Sequence, residues 1–327
     1  MLPQVIKSLW NSRPIPISIR STIVKTSLMK NILLPTDFSE NAWSAAQYAI
    51  ESYKNEKCVF YLLNTYTPTI ANARFLASGI WQGQLEDAAQ KDSKIGLQKQ
   101  LQRIRKTFNN TNHCFRTISS FSLLVDEIQE IIEKNQIDLV VIGSQGESGV
   151  EGLCMGSNAL RIIKSIKNRP VMVVPRHYLL ASPKRIALMT DLNRLYSSLE
   201  LYPIIDMART FKTSVYIIHL QDGITPLSEL QKYILGMLRS YLEHVDHSVH
   251  ILGKTSSAAD VFDDFQIKMN INMMVLVNNQ LGCFEKLSST SWNRETTFPA
   301  KVPVLVLPEL VTEISSKSLQ LGERQLF

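Results

Sequence analysis

The chain has no C-x-x-C pair; its four cysteines, Cys58, Cys114, Cys154 and Cys283, are scattered. That suits free thiols in a reducing cytoplasm better than a disulfide framework or a zinc site. No uninterrupted apolar run approaches the roughly 18–20 residues of a membrane span, so no membrane partner is expected. Glycine is scarce, at 13 of 327 residues, and shows no collagen period. Hydrophobic content of 45% and charged content of 20% exclude a largely disordered chain. At roughly 100–200 residues per domain, the length suggests two domains.

Acidic residues are absent from the first 28 positions, where Lys7, Arg13, Arg20 and Lys25 contribute +4 of the formal +6. The other 299 residues carry only +2. A nucleic-acid binder needs basic charge concentrated on one face, so no nucleic-acid partner is expected from this balance. Arg, Lys and Pro interrupt each apolar stretch before an export signal can form. A mitochondrial presequence is an alternative for this basic stretch, although Pro14 and Pro16 spoil its amphipathic helix. Residues 1–28 read as a disordered extension or a start codon placed too early, with Met29 directly before the first strand.

One sequence unit is present twice. Lys30-Asn-Ile-Leu-Leu-Pro-Thr-Asp37 aligns with Lys184-Arg-Ile-Ala-Leu-Met-Thr-Asp191, and Lys57–Asn64 aligns with Lys212–His219. Ile137–Ile142 aligns with Ile271–Leu276, and Pro170–Pro175 with Pro303–Pro308. The offset drops from about 154 to about 134, so the second copy is about twenty residues shorter between its second and third strands. The short Val/Ile/Leu runs are apolar at nearly every position, as in strands covered on both faces of a parallel sheet. Ala42, Ala45, Ala46, Ala49 and Tyr53 fall at helical spacing after Ser39, a candidate N-cap. Leu124, Val125, Ile128, Ile131 and Ile132 repeat that spacing, and Pro203 delays or kinks the matching helix of the second unit.

The expected architecture is α/β: two tandem, doubly wound, Rossmann-like domains, each with a five-stranded parallel sheet, forming an intramolecular pseudo-dimer. The domains are placed at 29–177 and 183–310, joined by a linker from His177 to Ser182, with an extension at 1–28 and a tail at 311–327. The last strands, Val171–Val174 and Val304–Leu307, are apolar and bracketed by prolines, so pairing between them is the expected contact of domain 1 with domain 2. A homodimer of whole chains is left open.

Ligands of doubly wound sheets sit at the carboxyl ends of the strands. Here the fourth strand runs into Gly143-Ser-Gln-Gly-Glu-Ser-Gly-Val-Glu-Gly-Leu-Cys-Met-Gly-Ser157, which holds five of the 13 glycines and opens a helix. Glycines after a strand let backbone amides approach a phosphate, and the helix start adds free N–H groups. A turn that only reverses the chain is the alternative. The segment is neither G-x-x-x-x-G-K-[ST] nor G-x-G-x-x-G.

Gly143-x2-Gly146-x9-Gly156-Ser157 matches the G-x2-G-x9-G-[ST] motif of the ATP-binding subclass of the universal stress protein family. Met29-Lys-Asn-Ile-Leu-Leu-Pro-Thr-Asp-Phe-Ser39 resembles the start of such a domain. The resemblance is strong over 29–175 and weak over 184–308, and implies a tandem member of the family. It implies ATP, with Mg2+ or Mn2+ on its phosphates. It places Asp37 near the adenosine, Pro35 and Thr36 on the same wall, and Thr65 at the adenine. Gly143 and Gly146 would lie by the ribose and α-phosphate, Gly156, Ser157 and Asn158 by the β- and γ-phosphates, and Ile142 would be a further nucleotide-binding position. The second unit keeps Asp191 but has Val277 and Gln280 in place of Gly143 and Gly146, so it reads as a degenerate copy.

Three further features carry less. His244-x2-His247-x2-His250 straddles a helix end and the following strand, which separates the side chains. Glu86–Arg105 reads as a charged amphipathic helix, with Thr67–Gly83 before it as a surface loop or a flap near the site. No catalytic residue is identifiable beside the glycine loop. The functional expectation is a nucleotide-binding stress or signalling module, with a slow ATPase or phosphotransferase and a non-binding scaffold as alternatives.

Overall fold

The computed structural model describes residues 29–66, 82–144, 156–176, 178, 182–223, 225–254, 258–277 and 302–308. The N-terminal extension, the 67–81 part of the flap, most of the glycine loop, much of the linker, Gln280 and the C-terminal tail lie outside the described residues.

The first half alternates β1 (Lys30–Pro35), α1 (Glu40–Ser52), β2 (Cys58–Thr65), α2 (Gln82–Thr107), β3 (His113–Ser120), α3 (Leu124–Lys134), β4 (Leu139–Gly143), α4 (Ser157–Ser165) and β5 (Val171–Val174). The second contains β6 (Arg185–Thr190), α5 (Ser198–Phe211), β7 (Ser214–Asp222), α6 (Glu229–Tyr241), β8 (His247–Lys254), α7 (Ala258–Lys268), β9 (Met273–Val277) and β10 (Val304–Leu307). All ten strands join one sheet in the order β3-β2-β1-β4-β5-β10-β9-β6-β7-β8. Each half therefore has the same internal order, and every neighbouring pair is parallel except β5 with β10. The expected α/β architecture with two doubly wound halves is what the chain adopts.

The repeat extends to individual hydrogen bonds. At the start of β1, Asp138 Oδ2 accepts from Asn31 N–H at 2.9 Å, and Asp138 N–H donates to Asn31 O. At the start of β6, Asn272 Oδ1 accepts from Arg185 N–H at 3.0 Å, and Asn272 N–H donates to Arg185 O. Ser39 caps α1 by accepting from Ala42 N–H. α5 starts four residues later relative to its strand-end aspartate, on a capping box of Ser197 and Glu200, and carries Pro203 inside it.

The two halves meet through β5 and β10. Val304 faces Val173, Leu305 faces Met172 and Val306 faces Val171, all buried. The register is two-fold about Met172 and Leu305. Because this pairing is antiparallel, the carboxyl ends of the two parallel sets point to opposite edges of the sheet. Above the junction, Tyr53 packs edge-on against Phe211 at 5.2 Å, and Lys30 pairs with Asp206. Tyr48 packs against Tyr178, whose hydroxyl donates to Asn272 O.

Truncating Leu305 to Ala leaves a cavity at that two-fold. The Leu305→Ala chain is expected to lose about 2–5 kcal/mol in urea denaturation; an unchanged midpoint would argue that the junction is not closed. His113 supplies a pH dependence. Its Nε2 lies 3.0 Å from Tyr53 O, and burial lowers its pKa below the ordinary 6.5. The folded state thus binds this proton less readily than the unfolded chain. Its contribution is full above pH 6.5 and is lost as pH falls through the folded value. His113→Gln should flatten the acid-side decline in stability measured by thermal melts.

Candidate functional site

In the order 3-2-1-4-5 the chain leaves β1 toward β2 on one side and returns through β4 on the other. The crevice between the carboxyl ends of β1 and β4 is therefore the topological switch point, the place where such sheets take ligands. Register places Pro35 beside Leu63 of β2. Leu33 faces Val140, and extending that register brings Thr36 level with Gly143. Pro35, Thr36, Asp37, Thr65, Ile142 and Gly143 thus collect at one sheet edge. Gly156, Ser157 and Asn158 open α4, which follows β4 to that edge. Gly146 lies outside the described residues.

The turn after β1 is held tightly. Thr36 Oγ1 donates to Gln100 Oε1 of α2 at 2.8 Å and accepts from Phe38 N–H at 3.0 Å. Asp37, exposed, accepts from Ser39 N–H at 3.1 Å. Asn64 donates to Thr36 O at 2.8 Å. Phe38 takes a left-handed φ of 66°, uncommon for a bulky side chain. Its ring lodges against Gly96 of α2, where a Cβ would come within 2.4 Å of the ring. The threonine hydroxyl thus fixes the wall of the crevice, and Asp37 beside it is exposed.

The second half repeats this turn. Thr190 Oγ1 accepts from Leu192 N–H, Asp191 Oδ1 accepts from Asn193 N–H, and Leu192 takes φ 55°. His219, aligned with Asn64, places Nδ1 3.1 Å from Thr190 O. The partner of the threonine differs: Tyr196 donates to Thr190 Oγ1 at 2.7 Å where Gln100 serves Thr36. Arg194 covers the Tyr196 ring at 4.8 Å and pairs with buried Glu200. Sequence reasoning missed Asn64, Gln100 and Phe38; the alignment of Asn64 with His219, two side chains able to donate, was the available signal for the first.

Gly143 has a packing reason of its own. A Cβ there would lie 2.6 Å from Asn41 Nδ2 and 2.9 Å from Asn41 O, at the start of α1. α1 packs directly on β4, and α5, which starts later, makes no comparable contact with β9. Leu188 faces Val275, so Val277 is level with Thr190. The valine is tolerated because the helix stays away, whether or not a ligand approaches. The glycine-to-valine difference alone therefore does not report phosphate contact.

At α4 the Gly156 N–H donates to Ser144 O at 2.6 Å, which closes the neck of the loop and commits that donor. Gly156 is the N-cap, with φ −71° and ψ 158°; among the described residues no side chain caps the helix, and no acid sits in its first turn. Ser157 and Asn158 are exposed. Their N–H groups carry the positive end of the helix toward the crevice.

The histidines do not converge. His247 Nδ1 turns to Val245 O, His250 stacks on Tyr216 and meets Ser248 Oγ, and His244 is exposed beside Glu243. Among the described residues no group of three or more His, Cys, Asp or Glu could hold a metal. No helix among them is long and apolar enough to cross a membrane.

The described elements define a doubly wound α/β sheet whose first half has its topological switch point between β1 and β4. Residues 29–175 match the universal stress protein family. A universal stress protein of Methanocaldococcus jannaschii is 29% identical over 151 residues, covering 46% of this chain and 84% of that protein. Another from the same organism is 26% identical over 163 residues, covering 46% and 96%. The solved universal stress protein of Archaeoglobus fulgidus is 18% identical, with a TM-score of 0.59, over 85% of this chain and 96% of that one. At that identity the likeness is one of fold.

Gly143→Ala is expected to destabilise the chain by about 1–3 kcal/mol through overlap with Asn41. Adding Asn41→Ala should recover part of that loss, measured by denaturant titration of both variants; no recovery would mean the strain lies elsewhere.

Proposed function

We propose that this chain is a tandem universal stress protein, with domains at 29–177 and 183–310, whose first half binds one ATP at the β1–β4 crevice. Nucleotide occupancy sets its conformation or partner choice in a stress or signalling role in the cytoplasm. The observation that carries the reading is the start of α4, which follows β4 within the glycine motif and has no side-chain cap among the described residues. The chemistry suits a phosphate chain: exposed Ser157 and Asn158, helix-start N–H groups that have no intrahelical partner, and no acid in that turn to repel it. Pro35, Thr36, Thr65 and Ile142 form the wall on which the nucleoside rests.

The donor set also bears on the metal. With no cluster of ligands among the described residues, Mg2+ or Mn2+ fits as a passenger on the phosphates, not as an ion caged by the protein. Phosphoryl transfer needs charge positioned around the γ-phosphate. The described residues offer no base or lysine so placed, so turnover is expected to be slow or absent.

Gly156→Asp tests the reading. The backbone at 156 is extended, as an N-cap requires, and Asp is a favoured N-cap residue. The variant should melt at or above the wild-type temperature, yet its carboxylate stands where phosphate would sit. Calorimetric ATP binding is expected to disappear while the fold is kept. Unchanged affinity in the folded variant would remove the phosphate from this helix end.

A further inference from the structure

The chain's even charge balance conceals a local excess. α2 carries Lys91, Lys94, Lys99, Arg103, Arg105 and Lys106, all exposed, against Glu86 and Asp87 in its second turn and exposed Asp92, and residues 93–107 of the helix hold no acid. Arg103 is committed to Glu40 by two hydrogen bonds at 2.7 and 3.0 Å. Lys94 reaches only the neutral Gln90. Lys91, Lys99, Arg105 and Lys106 form no salt bridge among the described residues. The matching helix of the second half, α6, is half as long; it carries Lys232, Arg239 and Glu229, and Lys232 pairs with Glu229.

The charges have an order. Ser93, Leu97, Gln100 and Ile104 mark the buried face. At 3.6 residues per turn, exposed Gln98 and Gln102 lie opposite that face. Lys91, Lys94 and Arg105 fall on or to one side of that amide row, and Lys99 and Lys106 to the other. From Lys91 to Lys106 the stripe runs about 22 Å. Ile95 is the only large hydrophobic residue exposed along it, and the apolar face of α2 is already spent on the sheet. A lipid surface needs an apolar face to insert, and this helix has none to give.

We propose that the outer face of α2 is a docking surface for nucleic acid, held through the phosphates. The charge is continuous over several phosphate spacings and lies on a rigid element, and the central amides can donate to sugar or base edges. Contacts of this kind are sequence-independent and salt-sensitive. The proposal is independent of the nucleotide crevice, because the face points away from the sheet.

The test uses the full chain and fluorescence anisotropy with a labelled 30-base-pair DNA duplex and a labelled single strand, from low to moderate salt. Binding is expected, with a steep salt dependence. The variant Lys91→Gln/Lys94→Gln/Lys99→Gln/Lys106→Gln changes only exposed side chains. It should weaken binding roughly a hundredfold at low salt and reduce the log–log salt slope by about 3–4. A second variant, Lys7→Gln/Arg13→Gln/Arg20→Gln/Lys25→Gln, should retain binding. The proposal is overturned by no binding at low salt, by an unaltered slope in the α2 variant, or by loss confined to the N-terminal variant. Binding of phosphatidylserine vesicles or polyglutamate as tight as that of nucleic acid would overturn it too.

Discussion

Antiparallel pairing of β5 with β10 is the contact on which the rest of the molecule depends. Each half ends in a four-residue strand with no polar side chain, and such an edge cannot be left to water without inviting association. Joining the two edges buries Met172 against Leu305 and turns two five-stranded sheets into one of ten strands. The same step brings α1 and α5 together, so that Tyr53, Phe211, Lys30 and Asp206 meet over the seam. It also fixes the two switch points at opposite edges of the sheet. Neither crevice can lend residues to the other, and each must be judged on its own side chains.

So judged, the halves share a frame and differ in what fills it. The Thr-Asp turn is duplicated down to its left-handed residue and its two side-chain hydrogen bonds. What differs is helix placement. α1 begins at once after its turn and presses Asn41 onto Gly143; α5 begins later, and the extra residues bring Tyr196, Arg194 and Glu200 into the space beside Thr190. The shorter α6 belongs to the same divergence: the second half satisfies its threonine with a nearby tyrosine, where the first half reaches across to Gln100 of its longer helix.

Much of this was legible in the sequence because it rests on short-range rules. Strands buried on both faces advertise themselves as unbroken apolar runs, and the repeat exposes itself as soon as the Thr-Asp ends are aligned. Ser39 as a cap and the apolar spacing of α1 and α3 follow from local chemistry. The unread part lies in contacts between distant residues. Nothing in the spacing of Gly143 tells that Asn41 excludes its Cβ, or that Gln100, 64 residues away, holds Thr36. Net charge sums over the chain, and so carries no information on how Lys91 to Lys106 of α2 are distributed around that helix. The glycine motif was readable as a motif, but a glycine can serve packing and ligand approach with the same letter.

The central claim is that the two crevices share a scaffold and that only the β1–β4 one holds nucleotide. Photolabelling the intact chain with an azido analogue of ATP, then mapping the modified peptides by mass spectrometry, tests it most directly. The account predicts label on peptides carrying Pro35–Asp37, Thr65 or the 143–158 segment, competed away by ATP, at about one label per chain. Competed label on the Thr190–Ser197 turn of the second half, or equal label on both, would contradict it.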